Sequence, residues 1–473
     1  MIYTKFKKNL TSLPVLNQTK NTLHRYFPIL FTPSKEYNYW ANFISDSEYW
    51  NNDQLKNYQW NKTKELLKFS YESIPYYQRI FKEIGAKPED ILTEKDFNLF
   101  PILTKEIVRE NVDDLLPIGI DRNKLIKYNS GGSTGIPLPI YKTRIDDIIE
   151  DAFMNNQWKR VGYKNKDSRV ILRGEVIEEN KLWKYQPNYN AWIFSSYHLS
   201  DDYIKLLINK LNKIKPLFLH VYPSSLWVLA NLIKKNKLKL DFKPKAILCG
   251  SEKLFDHQRE LFYEIFGCRS YSWLGLAEQT ILAGECEHNK ELHIFPQHSY
   301  VELIDNDGKV IKNNGITGHI VGTTLHRNTF PFIRYISGDM AQYSPGNCNC
   351  GRNYQRFKQV EGRVQNMIVS QDSRIIPLTA LVFGQHLLAF NKIEKMQLFQ
   401  CEKGIVEVRL IKGLRFTDED VDILRNQLSK ATNNKVEFNF SFHENLERTA
   451  TGKHKFLIQE LPIEFYNFDQ NGH

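Results

Sequence analysis

The chain holds only six cysteines among 473 residues, at positions 249, 268, 286, 348, 350 and 401. They are too few and too scattered for a disulfide framework, so a reducing cytoplasm is the expected setting. No run approaches the roughly 18 to 20 apolar residues that cross a bilayer. The longest apolar stretches, such as PLFLHVY at Pro216–Tyr222, are broken by polar groups and read as buried strands. No apolar segment follows the basic opening MIYTKFKKNL, so no signal peptide is expected. Internal repeats and low-complexity tracts are also missing. Basic residues exceed acidic ones only modestly, 64 Lys and Arg against 54 Asp and Glu, and the net +10 is spread along the chain. A nucleic-acid binder would concentrate that charge on one face with interleaved aromatics, so nucleic acid is not expected as a partner. The excess suits an anionic ligand or an anionic membrane surface. The early segment KFKKNLTSLPVLNQTKNTLHRYFPILFTPSK mixes bases with Phe, Leu and Ile, which leaves peripheral association with the inner face of a membrane open.

What is present is enough apolar residue for a large core divided among two or three domains. Residues 1–100 read as a helical preface, with WNKTKELLKFSYESIPYYQRIFKEIG supplying helical spacing around a break at Pro75. From Pro101 onward, SRVILRG, LFLHVY, PKAILCGS and CRSYSWLG alternate with helical stretches and predict an α/β sheet. YVELIDNDGKVI carries a hairpin signal at Asn306–Gly308, and TGHIVGTTLH follows, predicting an antiparallel addition. After EGRVQNMIV comes a small α+β unit with strands KGIVEVRLI and NKVEFNFSFH around the helix TDEDVDILRNQLSKAT.

One loop stands out for chemistry. YNSGGSTGIPLPIYKT, Tyr128–Thr143, packs three glycines and three hydroxyl side chains between Ser130 and Gly135. Glycine lets backbone N–H groups approach a ligand, and the hydroxyls add donors, so the loop suits a phosphate. It is not the nucleotide loop that requires Gly-Lys-Ser/Thr, because Ile136 and Pro137 follow Gly135. Five further stretches accompany it in order: LCGSEKL, WLGLAEQ with Glu278, RYISGD ending in Asp339, EGR with Arg363, and ERTATGKHK with Lys453.

This order resembles the adenylate-forming superfamily, most closely its phenylacetate–CoA ligase-like branch with the CapK-type proteins of surface polysaccharide gene clusters. The resemblance runs from SIPYYQRIF and LFPILTKEIVREN through LAGECEHNKELHIFPQHSYVEL, CNCGR and GRVQNMIV to TATGKHK. It implies a large domain of mixed β-sheets flanked by helices (101–362), a hinge at 363–366 and a small mobile α+β domain (367–473). It also implies an ATP- and magnesium-dependent ligase that joins a small-molecule carboxylic acid to AMP, releases pyrophosphate, and passes the acyl group to an acceptor. Ser130, Gly131, Gly132, Ser133, Thr134 and Gly135 would then cradle the β and γ phosphates. Glu278 would ligand Mg2+, Asp339 would bind both ribose hydroxyls with Arg363 behind it, and Gly250, Ser251 and Glu252 would sit beside adenine. Lys453 would bridge carboxylate and α-phosphate, relieving their repulsion at the transition state.

Several positions depart from the superfamily pattern. Leu138 stands where a lysine is common, Leu274 where a tyrosine stacks on adenine, Ala277 in place of Thr or Ser after Gly275, and Gln365 at the hinge; Trp273 is the substitute for the stacking. Cys286, Cys348 and Cys350 with His288 or His293 form a ligand set for a closed structural zinc. The acceptor stays open between an amine or hydroxyl on a sugar precursor and the thiol of CoA, and a non-catalytic nucleotide- or membrane-binding adaptor is the remaining alternative. The acid pocket is expected around ILRGEV, HVYPSSLW and SWLG, with Tyr222 and Trp273 lining it and Arg173 or His220 available to an extra carboxylate or a sugar phosphate.

Overall fold

The computed structural model describes residues 34–129, 138–175, 177, 181–361, 367–378, 381, 392–413, 416–447 and 456–461. The loop Ser130–Pro137, the expected hinge with Arg363, and Lys453 lie outside the described residues. Three helices come first: α1 (Lys35–Ser47), α2 (Asn52–Ser73) and α3 (Pro75–Ile84). Asn51 and Gln54 form a capping box on α2, and Pro75, which has no N–H to donate, ends one helix and starts the next. The apolar faces of α2 and α3, including Leu66, Tyr77 and Phe81, share a core cluster with Phe330, Phe332 and Tyr335, while Ile44 of α1 packs in another with Phe153. Arg334 locks this preface to the sheet: buried, it pairs with buried Glu302 at 3.1 Å and donates to the carbonyls of Asn98 and Phe100.

Strands β1 (Ile126–Asn129) and β2 (Pro139–Lys142) form an antiparallel hairpin flanking the glycine loop. Thr143 then caps α4 (Arg144–Lys159) through a capping box with Asp146, so the chain turns from β2 directly into a helix. The large sheet follows, from β3 (Arg169–Leu172), β4 (Trp183–Gln186), β5 (Ala191–Phe194), β6 (Phe218–Val221), β7 (Ala246–Gly250) and β8 (Arg269–Gly275). Its remaining strands are β9 (Leu282–Gly284), β10 (Leu292–Ile294), β11 (Ser299–Ile304), β12 (Thr317–Thr324), β13 (Tyr335–Tyr343) and β14 (Arg356–Glu361). The twelve lie in the order β11-β12-β13-β14-β10-β9-β8-β7-β6-β3-β5-β4. From β5 to β8 all pairings are parallel, and from β8 to β11 all are antiparallel.

Parallel strands covered on both faces read as continuous apolar runs, and β6 and β7 are buried at every residue. One face is covered by α5 (Asp201–Ile214), α6 (Pro223–Lys235) and α7 (Asp256–Phe266), the other by α4. The hairpin signal at Asn306–Gly308 yields a turn, with Gly308 at φ +80°, but its returning arm is a single bridge from Ile304 to Val310. Asn313, Asn314 and Gly315 break that arm, and β11 takes β12 as its ladder partner instead.

Beyond β15 (Met367–Val369) and β16 (Ile375–Pro377) stands a second sheet of β17 (Ile393–Glu402), β18 (Ile405–Lys412), β19 (Glu437–Phe442) and β20 (Leu457–Gln459), with α8 (Asp418–Ala431) crossing from β18 to β19. Its apolar residues form their own cluster, and the β15/β16 hairpin belongs to both cores: Met367 and Val369 pack with the large sheet, Ile368 and Ile376 with the small one. Among the described residues, no helix is long and apolar enough to cross a membrane.

Candidate active site

In an open parallel sheet the strands end at one edge, and ligands bind there. Here β3, β6, β7 and β8 deliver Arg173, Tyr222, Ser251, Glu252 and Glu278 to one cleft of 1310 Å³. Asp339, on β13 of the antiparallel half, lines it as well, and so do Trp273, Leu274, Gly275 and Ala277. Of the described residues singled out in the sequence for nucleotide and magnesium, all but Gly250 line this cleft, while Cys286, His293, Cys348 and Cys350 lie outside its lining.

Glu278 is buried and accepts a hydrogen bond from the Tyr335 hydroxyl at 3.0 Å. Asp339 is also buried, and its N–H donates to the Ser337 hydroxyl. The glycine-loop hairpin is fastened to the Glu278 turn by groups the sequence analysis missed. Arg327, fully buried, donates to the carbonyls of Glu278 (3.1 Å) and Tyr141 (2.5 Å) and to the Tyr128 hydroxyl (3.3 Å). Tyr128 in turn donates to the Ala277 carbonyl, and burial pushes its hydroxyl up to about 12, so it keeps the proton it gives. Tyr128 stood at the edge of the loop quoted above. Arg327, in LHRNTF, had no local signal.

Trp273 and Leu274 alternate along β8, so their side chains leave opposite faces of the sheet. Trp273 packs with α4, its ring centroid 5.5 Å from that of Trp158, while Leu274 packs with the antiparallel half. A Cβ on Gly250 would come within 2.3 Å of the Trp273 ring, so glycine is what lets the indole lie across β7. Glu252 is already engaged: its carboxylate accepts from the Ser224 N–H and hydroxyl, both at 2.8 Å, at the positive N-terminus of α6. His220, on β6, is buried against Trp158 and Trp273; burial, with Arg173 beside it, holds it far below the usual imidazole range and therefore neutral.

Of the two histidines left open for the metal set, His293 joins the cysteines and the exposed His288 contributes only its backbone N–H, to the Cys286 sulfur. The ligand atoms of Cys286, His293, Cys348 and Cys350 all lie within 4.8 Å of one another. The His293 Nδ1 faces the Glu291 carbonyl at 3.2 Å, which leaves Nε2 turned to the Cys350 sulfur at 3.3 Å. Burial lowers His293 to about 3, so its imidazole is neutral, as a ligand must be. Three sulfurs and one nitrogen within reach of one another are a donor set that would suit a tetrahedral zinc ion. The cluster joins the chain after β9, β10 and the β13–β14 connection.

No family model matches the sequence. Among proteins of known name, Protein CapK of Staphylococcus aureus is 24% identical over 407 residues, spanning 84% of this chain and 88% of CapK. Phenylacetate-coenzyme A ligase of Pseudomonas putida is 24% identical over 335 residues, 69% of this chain and 74% of that enzyme. Among solved structures, 2-hydroxyisobutyryl-CoA ligase in the postadenylation state, in complex with R3-HIB-AMP, superposes with a TM-score of 0.57 at 17% identity, covering 87% of this chain and 91% of that one. The chain is thus similar in fold to 2-hydroxyisobutyryl-CoA ligase and similar in sequence to CapK and the phenylacetate-CoA ligases.

Proposed function

We propose that this chain is an ATP-dependent ligase that activates a carboxylic acid as its acyl-adenylate, releases pyrophosphate, and passes the acyl group to an acceptor. The reading rests above all on one observation: Glu278, Asp339 and the Ser251–Glu252 turn share one cleft, beside the hairpin that flanks the Gly/Ser loop. A carboxylate is a poor acyl donor and is repelled by phosphate, so the site must offset negative charge and hold the two reactants in line. Ser130–Gly135 would hold phosphates through backbone N–H groups, Lys453 would bridge carboxylate and α-phosphate, and Asp339 with Arg363 would orient the ribose. The Glu278 carboxylate, steadied by Tyr335, is a hard oxygen ligand that suits magnesium, whose charge when bound offsets that of the phosphates. Structural zinc on Cys286, His293, Cys348 and Cys350 would brace the same region from behind.

For the second half-reaction we assign an amine or hydroxyl on a sugar precursor of a surface polysaccharide, in the cytoplasm, the setting that the resemblance to CapK-type proteins implies. The similarity to phenylacetate-CoA ligases supports a second reading, in which the thiol of CoA is the acceptor. The test is pyrophosphate release with magnesium and ATP across a panel of carboxylic acids, beside Lys453→Ala. Release that depends on one acid and falls roughly 100-fold or more in the variant is expected; release indifferent to Lys453 would remove the proposed mechanism. Amino sugars and CoA, offered in turn to the loaded enzyme, then separate the two acceptors.

A further inference from the structure

We infer that the acid activated in this cleft carries a second anionic group, a carboxylate or a phosphate ester, and that Arg173 binds it. The inference rests on the ligase reading and adds the class of its substrate. Arg173 stands at the C-terminal end of β3 and lines the cleft. Three other cations of the lining have carboxylate partners: Lys142 has Asp147, Lys290 has Asp256, and Arg259 has Glu285. Arg173 has no carboxylate within ion-pair distance among the described residues. Its guanidinium donates to the His220 Nε2 at 3.0 Å and to the Ser251 hydroxyl at 2.7 Å, and lies 4.9 Å from the Tyr222 ring centroid. Each of these partners is neutral, His220 included. Its buried Nε has no hydrogen-bond partner, and neither has the buried His220 Nδ1.

A half-buried guanidinium whose hydrogen-bonding partners are all neutral and which keeps an unused donor is a costly arrangement unless an anion completes it. Its planar fork matches a carboxylate or phosphate. The nucleotide phosphates are poor candidates for that anion. The glycine-loop hairpin and Glu278 lie at the β8 end, and β6 and β7 stand between β8 and β3, placing the two strands roughly 14 Å apart at the usual strand spacing. Ile171, Tyr222 and Trp273 supply the apolar wall along which the carbon chain of such an acid would run.

The experiment compares matched acids in pyrophosphate release: adipate with hexanoate, terephthalate with 4-methylbenzoate, phosphoglycolate with glycolate. Anion-ended acids are expected to outperform their neutral twins. Measured at saturating ATP, Arg173→Gln should lower kcat/KM for the anion-ended acid roughly 100-fold and leave its neutral twin far less affected, and Arg173→Lys should restore part of the loss. Equal use of both twins by the unaltered protein would overturn the inference, as would an Arg173→Gln effect common to both twins. If no acid releases pyrophosphate, the ligase reading fails by itself. Calorimetric titration of the anion-ended acids into the unaltered and Arg173→Gln proteins then decides this inference: binding lost in the variant upholds it, and absence of binding overturns it.

Discussion

The two halves of the twelve-stranded sheet meet the cleft differently. The parallel half presents strand ends, so Arg173, Tyr222, Ser251 and Glu278 come from loops free to vary while the buried strands stay fixed. The antiparallel half has no common end to present. It gives side chains from within its strands, Ser337 and Asp339 on β13 with Leu292, Phe357 and Val360 as apolar wall, and it also braces: Arg327 under the Glu278 turn, Arg334 under the helical preface, and the Cys/His cluster across the chain after β9, β10 and the β13–β14 connection. Strand direction thus separates the groups that would choose the ligand from the groups that hold them in place. If that division is right, damage to the antiparallel half should cost stability and nucleotide affinity without changing which acid is used.

The largest such effect is expected at the Cys/His cluster. Purified protein should carry about one zinc per chain by mass spectrometric metal analysis. Cys348→Ser should abolish it and lower the melting temperature by about 5–10 °C, with the ranking of acids preserved. Zinc-free protein with an unchanged melting temperature in the variant would show the cluster to be no more than three packed thiols and an imidazole. A smaller and more local effect belongs to Arg327→Met. Methionine fills much of the space but leaves the Glu278 and Tyr141 carbonyls without their donor, at about 1–3 kcal/mol for each buried acceptor. The KM for ATP should rise roughly 10-fold as the hairpin loosens from the Glu278 turn, again with acid preference intact. A change of preferred acid in this variant would break the division between the halves.

The same contrast explains what could be read from the sequence. Strands β3, β6, β7 and β8 were legible because each is a short apolar run ended by a polar or glycine turn, and those turns are where the cleft residues sit. The clamps were not legible. Arg327 and Tyr128 lie 199 residues apart, and Glu302 and Arg334 lie 32 apart. Nothing local distinguishes a buried, paired arginine from a solvated one. The position of Trp273 against Gly250 was hidden for a related reason, since the close approach joins two neighbouring strands and appears in neither sequence alone. The choice of His293 over His288 likewise needed the β10–β14 pairing, which brings His293 opposite Arg356, near the Cys348–Cys350 turn.

The smallest effect is a pH slope, also rooted in the antiparallel half. His326, in the chain after β12, is half-buried beside Trp40, with its Nε2 between the Gln297 carbonyl at 2.6 Å and the Tyr58 hydroxyl at 3.0 Å. Burial lowers it to about 3, so the folded protein keeps it neutral while the unfolded chain takes up a proton below its ordinary value of 6.5. The unfolded state therefore binds more protons between those two values, and stability must fall as pH falls through that window, by up to ~1.4 kcal/mol per pH unit. The contribution is fully present above 6.5. His326→Gln removes the titration, so the stability lost by the unaltered protein between pH 6.5 and 5 should exceed that lost by the variant by about 2 kcal/mol, read from urea unfolding at each pH. Parallel pH profiles for the two proteins would mean that His326 is protonated in the folded state, which would require the preface helix α1 to leave it open to water.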